Sequence, residues 1–236
     1  MKNLLSKRLL NKYSRQIVLK EVGIIGQKKI FNSKILVVGA GGLGSPVIDL
    51  LVRAGVGFLG VIEDDKVDYS NLHRQTLYDY NDVGKYKSDV IKKKIKLINN
   101  KIRLKIFKER AIDKNLAKIL PKFDIIVDGS DNFPTKFLLN KYSLKYKKKL
   151  VIGAISKFDG HIFSFDFSQK KIPCLNCFYQ GMPSDEILNC EAEGILGPTA
   201  NVIGALQANE VLKIILGLNG IIKNNILIVD LLNLTS

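Results

Sequence analysis

Three glycines in the spacing Gly39-x-Gly41-x-x-Gly44 follow the apolar run Lys34-Ile35-Leu36-Val37-Val38. Such a turn, with Gly42 inside it, brings backbone N–H groups close to phosphate oxygens and hands over to a helix whose first turn favours anions. The next apolar run, residues 58–62, ends in Glu63-Asp64-Asp65 at the distance where a nucleotide-binding βαβ unit carries its ribose acceptor, so Glu63 or Asp65 is placed to accept the ribose hydroxyls. Arg15, Arg74 and Lys87 are more cations than a pyrophosphate on a helix N-terminus needs, and as a set they suit a triphosphate. Asp131, with Asn132 beside it, follows the apolar run 123–128 and stands where a strand end can hold Mg²⁺. The glycine turn by itself serves an NAD-dependent oxidoreductase or a noncatalytic nucleotide-binding scaffold equally well. The cation set and the lack of an evident hydride-handling histidine count against the first, and Arg15, Arg74, Lys87 and Asp131 occurring together count against the second.

These side chains need strand ends and helix starts to position them, and the hydrophobic pattern supplies both. Runs at 34–38, 58–62, 103–107, 123–128 and 150–153 read as buried strands. Between them the periodicity predicts helices to residue 53, over 88–100, over 114–120 and from Pro134 onward. After Gly160 the pattern alternates over 161–166, a cysteine-bearing loop follows, and a helix over 199–216 leads to a last strand at 226–229. The expected fold is α/β, a Rossmann-like, doubly wound and mainly parallel sheet extended by antiparallel strands in the C-terminal part.

The chain has 236 residues, a formal net charge of +15, 46% hydrophobic and 25% charged residues, which excludes a disordered chain, a collagen-like fibre and a disulfide scaffold. Three cysteines and no signal-peptide pattern at the N-terminus point to a reducing, cytoplasmic setting. The longest uncharged run, residues 194–209, is broken by polar residues and falls short of the ~20 apolar residues of a membrane span, so no membrane association is expected. The lysine runs 92–94 and 147–149 lack the arginines and stacking aromatics of nucleic-acid surfaces, so no nucleic-acid partner is expected. A basic surface instead speeds encounter with an acidic protein.

Seven pieces resemble the ThiF/MoeB/HesA family, bacterial relatives of the ubiquitin-activating enzymes, and they occur in family order. They are Tyr13-Ser14-Arg15-Gln16-Ile17, Val38-Gly39-Ala40-Gly41-Gly42-Leu43-Gly44, Ala54-Gly55-Val56-Gly57, Ser70-Asn71-Leu72-His73-Arg74-Gln75, Gly84-Lys85-Tyr86-Lys87, Asp131-Asn132 and Cys190-Glu191-Ala192-Glu193-Gly194. The resemblance implies an adenylyltransferase that uses Mg-ATP to activate the C-terminal Gly-Gly carboxylate of a ubiquitin-like sulfur carrier, in thiamine thiazole or molybdopterin synthesis. It implies a homodimer in which Arg15 reaches in from a neighbouring subunit to join Arg74 and Lys87 at the phosphates. Ser70 and Asn71 would then help position phosphates and Asp131 would hold Mg²⁺.

Residues 1–236 are expected as one adenylation domain: a helical arm over 1–32, a nucleotide-binding part over 33–158, and a carrier-binding part over 159–236 with a crossover loop over 181–194. By the same resemblance Cys190 takes part after adenylation, as a covalent adduct site. Cys174 and Cys177 match half of the family's four-cysteine zinc set. With no second pair by residue 236, no zinc is expected. No C-terminal sulfurtransferase segment is expected either, so sulfur would come from a separate donor protein.

Overall fold

The computed structural model describes residues 7–170, 172–181, 194–223 and 225–236. Cys190 and the acidic residues around it lie outside the described residues. Seven strands form one sheet in the order β3-β2-β1-β4-β5-β6-β7: β1 (Lys34–Val38), β2 (Phe58–Ile62), β3 (Arg103–Phe107), β4 (Ile125–Asp128), β5 (Lys149–Ser156), β6 (Asp159–Asp166) and β7 (Ile226–Asp230). The first five pair in parallel, and β6 and β7 add antiparallel at the β5 edge. The expected fold class is the observed one.

Parallel strands need covered faces, and alternate residues of each strand go to opposite layers. On one face Ile35, Val37, Leu59, Val61, Val127 and Val151 pack with α4 (Gly44–Ala54), α5 (Lys87–Ile98) and α9 (Gly197–Leu216). On the other, Leu36, Val38, Ile62, Ile126, Leu150 and Ile152 meet α6 (Asp113–Ile119), α7 (Phe133–Lys145) and the ring of Phe123. Each of these fully buried aliphatic side chains contributes about 1.5–3 kcal/mol relative to exposure.

Before the sheet, α1 (Lys7–Lys12), α2 (Ser14–Ile17) and α3 (Gly23–Asn32) form the helical arm. Its anchor is legible residue by residue. Buried Tyr13 stacks edge-on against Phe31 and its hydroxyl accepts from Asn99 at 3.3 Å, while Gln16 donates to the carbonyl of Ala54 at 2.9 Å. With its neighbours turned inward, Arg15 is left facing solvent.

One element departs from expectation. The cysteine-bearing loop contains a short helix, α8 (Leu175–Tyr179), held by side-chain rings: Phe178 and Tyr179 pack edge-on against Phe163 and Phe133, both at 5.3 Å. The strand read over 150–153 extends through Ser156, because it must match the length of its antiparallel partner β6. No helix among the described residues is long and apolar enough to cross a membrane.

Candidate active site

The glycine turn leaves β1 and enters α4 at the carboxyl edge of the parallel strands. Gly39 adopts φ +84°, a left-handed conformation that side chains other than glycine's resist, and a Cβ at Gly44 would collide with the Gly39 carbonyl. The third glycine therefore serves close packing of helix on turn, and the first serves the turn itself. Buried Tyr78 donates to the Ala40 carbonyl at 2.9 Å, and Ser45 Oγ donates to the same oxygen at 3.1 Å. Burial pushes the Tyr78 phenol up, so it stays protonated and keeps donating.

Glu63 lines the cleft described below and also holds backbone in place. It is buried, and its two carboxylate oxygens accept from the backbone N–H of Ala40 at 2.7 Å and of Asp65 at 2.9 Å. Glu63 thus ties the end of β2 to the glycine turn. Burial raises its pKa, opposed by those two N–H groups and by the nearby Lys87 charge. Asp65 is exposed in the same wall, and Lys87 at the start of α5 sits buried beside it with Nζ 3.3 Å from Asp65 Oδ2. The carboxylates of Glu63, Asp64 and Asp65 lie close together, with Glu63 buried and each of its oxygens already accepting one backbone N–H.

Ser70 and Asn71 are likewise turn builders. Asp68 accepts from the Ser70 N–H at 2.8 Å and hydroxyl at 2.6 Å, and Asn71 Oδ1 accepts from the Asp68 N–H at 3.2 Å, closing a capped turn over Tyr69–Asn71. Neither lines the cleft described below. The turn aims Arg74, whose guanidinium donates to the Ser70 carbonyl at 2.9 Å and meets His73 Nε2 at 2.7 Å. Gln75 follows, buried, with an Oε1 that has no hydrogen-bond partner.

At the end of β4 the chain turns through Gly129 and Ser130 to Asp131, which is exposed. Asn132 caps α7 by accepting from the Thr135 N–H at 3.0 Å, and its amide donates to Asp131 Oδ1 at 3.1 Å. These pieces converge on one cleft of about 1010 Å³, lined by Gly39, Gly41, Gly42, Asp65, Arg74, Gln75, Lys87 and Asp131 and extending along β5 and β6 past Ser156, Asp159 and His161. Arg15 does not line it within this chain. Cys174 and Cys177 are free thiols with Sγ atoms 3.6 Å apart, and among the described residues no third metal-ligating side chain is grouped with them.

Among the cleft residues that the sequence reading did not single out are Gln75 and Lys136. Lys136 is buried against Asp128, with an N–O distance of 3.0 Å, and a lysine eight residues beyond a strand-end aspartate signals nothing at any helical or strand period.

Comparison with known proteins follows the same lines. The model of the ThiF family matches residues 13–236. The sulfur carrier protein adenylyltransferase of Thermus thermophilus is 39% identical over 231 residues, covering 96% of this chain and 85% of that protein. A probable molybdopterin-synthase adenylyltransferase of Gracilaria tenuistipitata var. liui is 38% identical over 229 residues, covering 97% of this chain and 64% of its own length. Among solved structures, the crystal structure of E. coli MccB with ATP is 25% identical, with a TM-score of 0.82 over 95% of this chain and 70% of that one.

Proposed function

The chain belongs to the ThiF family, and from that membership we propose that it is an ATP-dependent adenylyltransferase acting on the C-terminal Gly-Gly carboxylate of a ubiquitin-like sulfur carrier protein. The observation that carries this reading is the single cleft joining the glycine turn, Arg74, Lys87 and Asp131 to a second lobe along β5 and β6. At about 1010 Å³ it stands at the upper end of small-molecule sites, with room for a nucleotide and an extended peptide tail together.

The chemistry asks little of the protein beyond placement. The tail carboxylate is ionised at neutral pH, so it attacks the α-phosphorus with no general base, forming an O–P bond as the bond to the departing pyrophosphate breaks. Rate then comes from alignment and from neutralising charge on the phosphates. The glycine turn and the start of α4 offer N–H groups to the phosphates, and Asp65 accepts from the ribose. Arg74 and Lys87 supply positive charge to the polyphosphate, and Arg15 completes that set from a neighbouring subunit. Exposed Val18, Leu19, Ile24 and Ile25 beside Arg15 give that homodimer an apolar face to bury.

Asp131 fits Mg²⁺ in chemistry and setting: it is an exposed carboxylate in the cleft with one oxygen uncommitted, and Mg²⁺ takes one or two carboxylates with substrate phosphates. When bound, the ion would withdraw charge from the phosphate oxygens. A separate protein would donate sulfur to the adenylated carrier, through Cys190 or directly. The test is to incubate the protein with Mg-ATP and a carrier and weigh the carrier. A gain of one adenylyl group at its C-terminus supports the reading. An unmodified carrier alongside bound ATP contradicts it.

A further inference from the structure

Asp128 ends β4 and Asp131 stands three residues beyond it, yet the structure treats them oppositely. Asp128 is fully buried and its carboxylate is consumed locally: Oδ1 accepts from the Ser130 N–H at 2.9 Å and hydroxyl at 2.5 Å, and Oδ2 accepts from Lys136 at 3.0 Å. The Lys136 ammonium has three N–H donors and the structure gives it three acceptors. The other two are the carbonyls of Ser130 at 2.9 Å and Gly153 at 2.7 Å.

The third acceptor is the informative one. The β4–β5 ladder ends at the pair Asp128 and Ile152, so Gly153 is the first β5 residue beyond it. Lys136, reaching back from α7, carries the connection one step further, across the turn that leads to Asp131. From α9, Gln207 adds a bond to the Asp128 carbonyl at 2.9 Å. The turn is thereby fixed on both sides, while Asp131 itself is held by a single bond from Asn132.

We propose that Lys136 is the positioning residue for Asp131: its ammonium clamps the turn between β4 and α7 onto β5 and so sets where the Asp131 carboxylate stands in the cleft. Lys136 touches no reacting atom. It acts through Asp128 and the Ser130 carbonyl. The proposal rests on the reading of Asp131 as the carboxylate for Mg-ATP, and it predicts a defect in metal-dependent binding in addition to any loss of stability.

The experiment is calorimetric binding of ATP to the full chain, in EDTA and across a Mg²⁺ titration, with thermal unfolding of each variant alongside. Lys136→Met should raise the half-saturating Mg²⁺ concentration on the order of 10-fold, the scale on which outer-shell partners act on metal affinity, and change affinity for ATP in EDTA by far less. Lys136→Arg, which keeps the charge and the donors, should restore most of that loss. If Lys136→Met does not fold, Lys136→Gln, which keeps two donors and loses the charge, should show the same shift in smaller measure.

A folded variant with the parent's Mg²⁺ dependence overturns the proposal. Equal losses with and without Mg²⁺ also overturn it, because they mark general collapse of the site. A parent protein whose ATP binding ignores Mg²⁺ overturns the underlying reading of Asp131 instead, which keeps the two failures apart.

Discussion

Asp131 and Arg74 carry the residue-scale account: on the proposed reading Arg74 would supply positive charge to the polyphosphate and Asp131 would hold the Mg²⁺ that accompanies it, each from a lightly committed side chain. Asp131→Ala or Arg74→Ala should lower the adenylation rate by roughly 10²–10³ while the thermal midpoint stays near the parent's. Pyrophosphate exchange at the parent rate in both variants would rule out the site. Glu63 makes a pH prediction. Its raised pKa means that it takes up a proton above its ordinary value, and protonation turns one oxygen into a hydroxyl, a poorer acceptor for the N–H of Ala40 or Asp65.

Affinity for ATP should therefore fall as pH drops through that raised value. The stability contribution of the same group runs the other way, greatest below the ordinary pKa and declining as pH rises through the raised one. Glu63→Gln should remove the acid limb from the binding profile, and identical profiles for the two proteins would assign that limb to another group. At this scale the sequence disclosed the glycines, Arg74, Lys87 and Asp131, whose chemistry shows in their type. It hid the engagement of Glu63 with backbone, and the Lys136–Asp128 pair, because both depend on which strand ends lie side by side.

At the scale of elements, the junction of β1 with α4 is the part that tolerates least change. A Cβ at Gly44 meets the Gly39 carbonyl, a backbone atom that cannot rotate aside, so Gly44→Ala must push α4 away from the turn. The expected cost is about 1–3 kcal/mol of stability, read by denaturant unfolding, together with weaker ATP binding. Parent-like stability and affinity would mean that α4 shifts without disturbing the phosphate end. Strands and long helices were legible because each is long enough to display its period. The five-residue α8 was not, since ring packing onto Phe133 and Phe163 holds it and no local pattern announces that. Ser70 and Asn71, expected near phosphates, build a capped turn over Tyr69–Asn71 whose Asp68-x-x-Asn71 spacing is that of a capping box.

For the whole molecule, the succession of strands and helices implied the doubly wound sheet, and the residue-by-residue alternation that begins after Gly160 implied its antiparallel extension. Arg15 is exposed on the arm and does not line the cleft within this chain. If two copies share each site, Arg15→Ala and Asp131→Ala proteins, each inactive, should regain activity when mixed under conditions of subunit exchange, because some mixed dimers hold one intact site. Absence of recovery with exchange demonstrated by mass would confine the site to one chain.

The most direct measurement of the central claim is ATP–pyrophosphate exchange, with each Gly-Gly sulfur carrier, of the thiamine and the molybdopterin pathway, added separately. The account predicts exchange that requires Mg²⁺, that appears on addition of one carrier, and that is lost when the carrier's terminal glycine is removed. Mg-ATP binding with no exchange in the presence of either carrier would contradict it.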